Sequence, residues 1–218
     1  MVSWESIDTV LLDMDGTLLD LRYDNILWTN LLPERHSQTH QLPLAHSESH
    51  LFAHMDETRG KLEFYCLDYW AEFTGLDVIE LHHELKELIA YRPSAEQFLD
   101  WLRKHGKSSV LVTNAHRDSL NIKNEHADLI RRLDETVSCH DYGSPKEDQR
   151  FWQRLMDEHP FDPQRTLLID DNHQVLVAAA EFGIAHLLTI AKPDSGKPHR
   201  EGLDFPALHD FQDLLTHE

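Results

Sequence analysis

Hydrophobic residues in this chain gather into short unbroken runs. Val10–Leu12, Val110–Val112 and Leu167–Ile169 are apolar at consecutive positions, and Leu187–Ile190 is interrupted only by Thr189, with no alternation of polar and apolar sides. A strand of that kind is buried on both faces, as parallel strands are when helices cover the sheet from both sides. Glu135–Ser138 reads as a weaker fifth strand, and helix-length segments separate each run from the next. The pattern predicts an α/β fold built on a doubly wound parallel sheet. Ser94-Ala95-Glu96-Gln97 has the form of a capping box, and Gly106 supplies a stop after Leu102 and Arg103. A second helix should run from Gln174 to Phe182 and close at Gly183. Ser144-Pro145-Lys146-Glu147 reads as a third helix start and places Lys146 in its first turn, where an anion is favoured.

Residues 20–92 break the alternation of strand and helix. They are helical in period and contain no strand-like run; within Leu62 to Phe73, Leu62, Tyr65, Tyr69 and Phe73 share one face. The expected division is therefore a core made of residues 1–19 and 93–218, interrupted by a helical insertion at 20–92. Lys192-Pro193-Asp194-Ser195-Gly196-Lys197-Pro198 reads as a poorly ordered loop. No internal repeat is visible.

The strands matter for the residues at their carboxyl ends. The first ends in Asp13-Met14-Asp15-Gly16-Thr17, the second in Thr113-Asn114 and the fourth in Asp170-Asp171. In an open parallel sheet, ligands bind beyond the carboxyl ends of the strands where the strand order reverses. Asp13, Asp15, Thr113, Asp170 and Asp171 therefore converge on one edge. Carboxylates crowded at the tips of buried strands are costly unless something cationic sits among them. Mg²⁺ and Lys146 are the candidates, set against the plainer alternative of an acidic turn that merely caps a strand.

Charge narrows the class of partner. The chain has 218 residues, with 20 Lys and Arg against 39 Asp and Glu, a formal charge of −19, and no basic run. That balance argues against nucleic acid or an anionic membrane as a partner. Seventeen histidines make the net charge sensitive to mildly acidic pH. Cys66 and Cys139 form no CxxC and no ligand-like spacing with histidine, so they read as reduced, partly buried thiols. The first residues lack the basic and apolar regions of a secretion signal, and no apolar run is long enough to span a bilayer. A cytoplasmic protein is expected; its oligomeric state is not legible.

Taken together, the segments around Asp13, Thr113, Lys146 and Asp170-Asp171 resemble the four motifs of the haloacid dehalogenase (HAD) superfamily. The run VLLDMDGTL carries most of that resemblance. It implies a helical cap at 20–92 and a Mg²⁺-dependent phosphomonoester hydrolase working through an aspartyl-phosphate. By position, Asp13 would be the nucleophile and Asp15 the acid and base. Thr113 and Asn114 would contact the phosphoryl group, and Lys146 would offset its charge while also contributing to catalysis. Asp13, Asp15 through its carbonyl, Asp170 and Asp171 would hold Mg²⁺. A carboxylate two residues after the nucleophile points to a phosphatase or phosphomutase and away from a dehalogenase. The strings DTVLLDMDGTLLDL, YCLDYW, YGSPKEDQRFW and PDSG are similar to bacterial GMP/IMP nucleotidases. That likeness implies a purine nucleoside 5′-monophosphate as substrate; a sugar phosphate or other small phosphorylated metabolite is the alternative, and a phosphomutase a more distant one.

Other residues are given structural readings. His46, His50 and His54 recur every four positions and read as one face of a solvated helix. Tyr65, Tyr69, Trp70 and Trp28 read first as core and second as a surface on which a purine could stack. Arg92 fits either a hinge or a phosphate contact, and His82-His83-Glu84 is assigned no role.

Overall fold

A computed structural model describes residues 3–215. Among these, six strands form one parallel sheet in the order β3-β2-β1-β4-β5-β6. They are β1 (Thr9–Leu12), β2 (Ser108–Thr113), β3 (Glu135–Ser138), β4 (Thr166–Ile169), β5 (His186–Ile190) and the two-residue β6 (Ala207–Leu208). The five expected strands are present. The short β6, which pairs Thr189 with Ala207 and Ile190 with Leu208, is an addition to them, because two residues carry no periodicity. In register, Leu12 lies between Leu111 of β2 and Ile169 of β4, which puts the ends of the three central strands side by side.

The unbroken apolar runs fill two cores at once. Val10, Leu12, Leu111, Leu167 and Ile169 point to one side of the sheet, with Phe98, Leu99 and Leu102 of α6 (Ala95–Lys104). Leu11, Val110, Val112, Val137 and Leu168 point to the other, with Phe151, Trp152 and Leu155 of α9 (Gln149–Glu158) and Val175 and Leu176 of α10 (His173–Phe182). Alternate residues of these strands thus serve opposite cores, so their central positions are apolar in succession. The remaining core helices are α7 (Arg117–Ala127) and the short α8 (Cys139–Tyr142). Gly183 ends α10 in a left-handed conformation, as expected. Two helix starts differ from the sequence reading. Ser94 is itself left-handed and makes no side-chain cap to α6. Ser144 to Glu147 form a turn, closed by Asp148 N–H donating to the Pro145 carbonyl, and α9 begins only at Gln149, capped by Asp148. Lys146 is therefore held by a turn ahead of the helix and not in its first turn.

Between β1 and β2 the chain is helical, with α1 (Arg22–Ile26), α2 (Leu32–His40), α3 (Leu44–Thr58), α4 (Leu67–Thr74) and α5 (Val78–Glu84) and no strand. α1 and α2 are joined through a π-helical turn at Leu27–Leu31. The turn lies just before Pro33, whose ring cannot donate to the preceding turn and crowds its carbonyl, a strain that widening the helix relieves. Leu32, Leu51, Leu67, Trp70, Val78 and Leu81 make a third, purely helical core. The face expected over Leu62 to Phe73 is split by Cys66 into a 3₁₀ turn (Leu62–Tyr65) and α4. The histidines of α3 are less solvated than their spacing implies. His54 stacks on Phe73 at 3.8 Å and bonds the Tyr69 hydroxyl at 2.6 Å, and His50 stacks on Phe73 at 5.1 Å while staying exposed, as His46 does.

The loop at 192–198 is tied down, contrary to expectation. Leu21 N–H donates to the Pro193 carbonyl, Asn25 Nδ2 donates to Asp194 at 2.6 Å, and the Arg92 guanidinium bonds the Lys192 carbonyl. Arg92 is thus a buried tether between the end of the insertion and this loop. No described helix is long and apolar enough to cross a membrane.

His82 is buried in α5, its Nδ1 against the Val78 carbonyl at 2.8 Å. Burial holds its pKa down to about 4. The unfolded chain therefore binds a proton here between pH 6.5 and 4 that the folded chain refuses, and this residue's contribution to stability is lost as pH falls through that window. Relative to His82→Gln, the wild type should lose about 2 kcal/mol of unfolding free energy between pH 7 and pH 5. Denaturant unfolding of both proteins at the two pH values measures the difference; a pH-independent gap would show His82 to be protonated in the fold.

Candidate active site

Asp13 extends β1 by one residue, its N–H donating to the Ile169 carbonyl at 3.0 Å. The chain must then turn sharply, and Gly16 does so at φ +85°. A Cβ at Gly16 would lie 2.8 Å from the Asp171 carboxyl carbon, so the position excludes any side chain both by conformation and by the approach of the neighbouring strand end.

Lys146 occupies the middle of the cluster. Its ammonium donates to Asp13 Oδ1 at 2.6 Å, to Asp170 Oδ2 at 2.7 Å and to the Val112 carbonyl at 3.0 Å, using all three protons while only 2% exposed. Burial alone would lower its pKa, but the pairs with Asp13 and Asp170 outweigh this and raise it. The carboxylates shift the same way for a different reason. Burial pushes the Asp13 pKa well up against the pull of Lys146, with Asp170, Asp171 and Asp15 adding repulsion. Burial also raises Asp170, and burial with the Asp170 charge brings Asp171 to about 7. One lysine does not neutralise this group. Oxygen atoms of Asp13, Asp170 and Asp171 lie within 4.8 Å of one another, and an all-oxygen donor set in want of positive charge fits a hard divalent cation.

Asp15 is handled separately, by a residue that sequence reasoning misses. Lys123 of α7, 1% exposed, bonds Asp15 Oδ1 and Asp24 Oδ1, each at 2.7 Å, with its ammonium 5.2 Å from the Tyr23 ring centroid. Burial and the nearby Asp24 bring the Asp15 pKa up to about 6, with Lys123 opposing. The available signal was a lysine three residues after Leu120, on the buried face of an amphipathic helix, where an ammonium requires a counter-charge.

Thr113 is buried at the end of β2, and its Oγ1 accepts from Ala115 N–H at 3.0 Å, leaving the hydroxyl proton free to donate. Both ends of the Asn114 amide are engaged: Oδ1 accepts from Lys146 N–H at 2.9 Å and Nδ2 donates to Glu147 at 2.9 Å. Asn114 therefore fixes the Lys146 turn. Glu147 also accepts from the Tyr65 hydroxyl at 2.6 Å and from Asn172 at 3.2 Å, joining the helical insertion to the sheet at the rim of the site. These partners of Glu147 have no signal in sequence. Of the aromatic residues considered for stacking, Tyr69 packs on His54, whereas Trp28, Tyr65 and the largely buried Trp70 border a cleft of about 950 Å³ that opens over Asp13, joined there by Phe64.

The chain is similar to known proteins over most of its length. A family model described as haloacid dehalogenase-like hydrolase matches residues 7–183. GMP/IMP nucleotidase YrfG of Escherichia coli (strain K12) is 39% identical over 214 residues, covering 98% of this chain and 96% of that protein. Pyrophosphatase PpaX of Bacillus cereus (strain G9842) is 26% identical over 183 residues, covering 81% and 80%. Among solved structures, a HAD phosphatase from Thermococcus onnurineus superposes with a TM-score of 0.79 at 16% identity, covering 95% of this chain and 96% of that one. L-2-haloacid dehalogenase from Xanthobacter autotrophicus gives 0.66 at 17%, with 95% and 96% covered. The fold and the sequence agree: this chain belongs to the haloacid dehalogenase-like hydrolases.

Proposed function

We propose that the chain is a Mg²⁺-dependent phosphomonoesterase whose substrate is a purine nucleoside 5′-monophosphate. The observation that carries the reading is the separation of two carboxylates with different partners. Asp13 is paired with Lys146 and faces the cluster, while Asp15 is paired with Lys123 and stands apart. Residues 20–92 serve as the cap over a core of residues 1–19 and 93–218.

In this mechanism an Asp13 oxygen attacks phosphorus, and the bond from phosphorus to the ester oxygen breaks as an aspartyl-phosphate forms. Asp15 gives its proton to the departing oxygen, then takes one from the water that attacks the intermediate, returning inorganic phosphate and free Asp13. A carboxyl raised to about 6 is suited to both transfers near neutral pH. Lys123 orients Asp15 and limits its shift. Lys146 offsets the charge of a dianion approaching Asp13, and the Thr113 hydroxyl donates to a phosphoryl oxygen. Asp13, Asp170, Asp171 and the Asp15 carbonyl would hold Mg²⁺, which supplies charge neutralisation for the transferring phosphoryl group. The nucleotide part of the reading is supported by 39% identity to a protein named as a GMP/IMP nucleotidase and by the aromatic wall of Trp28, Phe64 and Tyr65 beside the cleft.

Asp13→Asn should remove hydrolysis while leaving the fold intact. Asp15→Asn should slow the first release of alcohol from an alkyl ester by about 10²–10⁴-fold but act much less on the first release of phenolate from an aryl ester, whose leaving oxygen needs no proton, while breakdown of the aspartyl-phosphate slows for both. Single-turnover release of alcohol or phenolate tests the proton donation and phosphate release tests the water activation; equal loss of the first turnover on both esters would remove Asp15 from the proton donation.

Chelation should abolish turnover and added Mg²⁺ restore it, whereas Lys146→Ala should remain inactive with or without Mg²⁺. Saturating Mg²⁺ should raise the melting temperature of the wild type, because the carboxylates converge only in the folded chain; an unmoved transition would dissociate Mg²⁺ from this cluster.

For specificity, kcat/KM for GMP and IMP should exceed that for AMP by about tenfold or more. Adenine reverses the donor and acceptor pattern at two ring positions and leaves buried polar groups unpaired. Preference for a sugar phosphate would overturn the purine assignment while leaving the phosphatase chemistry intact.

A further inference from the structure

Outside the carboxylate cluster, a second group of ligand-type side chains meets at the seam between the helical insertion and the sheet. Ligand atoms of Cys66, His116 and His140 lie within 4.8 Å of one another. Nothing in the sequence hints at this, since the three residues are far apart along the chain and the cysteines show no metal-like spacing. Cys66 sits at the break between the 3₁₀ turn and α4, His116 caps α7 beyond β2, and His140 lies in α8 beyond β3. We propose that Cys66, His116 and His140 form a binding site for a soft divalent transition-metal ion, of which Zn²⁺ is the representative, and that the ion fastens the insertion to the sheet.

Three features carry the assignment. The donor set, one thiol and two imidazoles, is that of a zinc site and differs in kind from the all-oxygen Asp13 cluster. His140 Nε2 is sealed from solvent without a hydrogen bond of ordinary geometry, although the Tyr65 and Asn114 backbones approach the ring, and a metal bond would satisfy it. His116 is oriented for the role. Its Nδ1 is occupied at the α7 cap, 3.4 Å from both Asp118 N and Asp118 Oδ2, which leaves Nε2 for an ion. With Nε2 ligated, the proton moves to Nδ1, which gives up its long contact with Asp118 N–H and donates to the Asp118 carboxylate, the usual outer support for a metal-bound histidine. Asp68 Oδ2 lies 3.8 Å from His116 Nε2 on the exposed side, in a separate group with Asp118, so a solvent oxygen would be the fourth donor. Tetrahedral ligands around zinc are about 3.5 Å apart, so side-chain rotations that draw these atoms together by about an ångström complete the site. Binding deprotonates the Cys66 thiol and releases one proton.

The site is unrelated to the requirement for Mg²⁺, and spectroscopy separates the two. Co²⁺ would be titrated into the reduced full-length protein with Mg²⁺ saturating. One equivalent should produce a thiolate-to-cobalt charge-transfer band and the intense visible bands of a tetrahedral ion, both displaced by Zn²⁺. Cys66→Ser should abolish the charge-transfer band, and His140→Phe should weaken Co²⁺ binding by at least about tenfold. Both variants should keep the wild-type melting temperature in Mg²⁺, which shows that they fold. Zn²⁺ should also slow phosphate release by the wild type, whose insertion it pins, and much less that of Cys66→Ser. A band that survives in Cys66→Ser would arise from Cys139 and overturn the assignment. So would the absence of any charge-transfer band, or equal Zn²⁺ inhibition of both proteins, which would place the ion on the Asp13 cluster.

Discussion

The structure depends on a single ammonium group. Among the described residues, Lys146 is the one cationic side chain that pairs with both Asp13 at the end of β1 and Asp170 at the end of β4. Without it two buried carboxylates would face each other in a low-dielectric setting. Such a group must either protonate or be paired. Much nearby structure exists to keep Lys146 in place. Asn114 holds its backbone N–H, Trp152 Nε1 donates to its carbonyl at 2.8 Å, and the Val112 carbonyl takes its third proton. Trp152 belongs to one of the two main hydrophobic cores, so the position of the charge is set by ordinary packing several residues away.

A second lysine relieves the first. If Asp15 were also paired directly with Lys146, Asp13 and Asp15 would share one counter-charge and their protonation would be tied together. Lys123, presented from α7, gives Asp15 its own partner and shares it with Asp24 at the start of the insertion. Two carboxylates two residues apart in sequence thus sit in distinct electrostatic settings. The turn at Gly16 makes this possible, because it brings the chain against Asp171 where no side chain would fit.

The sequence is most informative where one physical rule dominates. Strands such as Leu167–Ile169 must be apolar throughout because both faces are covered, so they can be located from composition alone, and with them the residues at their ends. Gly183 is legible because a helix end needs a left-handed residue there. Rules that compete are harder to read. Ser144-Pro145-Lys146-Glu147 satisfies every local preference for a helix start, yet Asp148 takes the cap and the earlier residues form a turn, because Lys146 is drawn into the carboxylate cluster. Contacts between distant segments leave no mark of which partner is met, even where one side, such as a lysine on a buried helix face, shows that a partner is needed. Lys123 with Asp15, Tyr65 with Glu147, and Asn25 with Asp194 each join positions far apart along the chain. The loop at 192–198 looks unstructured in sequence for the same reason: what orders it lies near the other end of the chain.

Glu147 has a consequence for product release. It comes directly after Lys146 in the chain, and its carboxylate is held by donors from three places: Tyr65 from the insertion, Asn114 after β2 and Asn172 after β4. While the insertion is docked, three hydrogen bonds spread that negative charge. If residues 20–92 act as the proposed cap, lifting it would take the Tyr65 hydroxyl away and leave that charge less well compensated beside the proposed phosphate site. Opening would then loosen the hold on an anion just as its exit clears, so that a doubly charged product would be expelled from a site that binds firmly while closed.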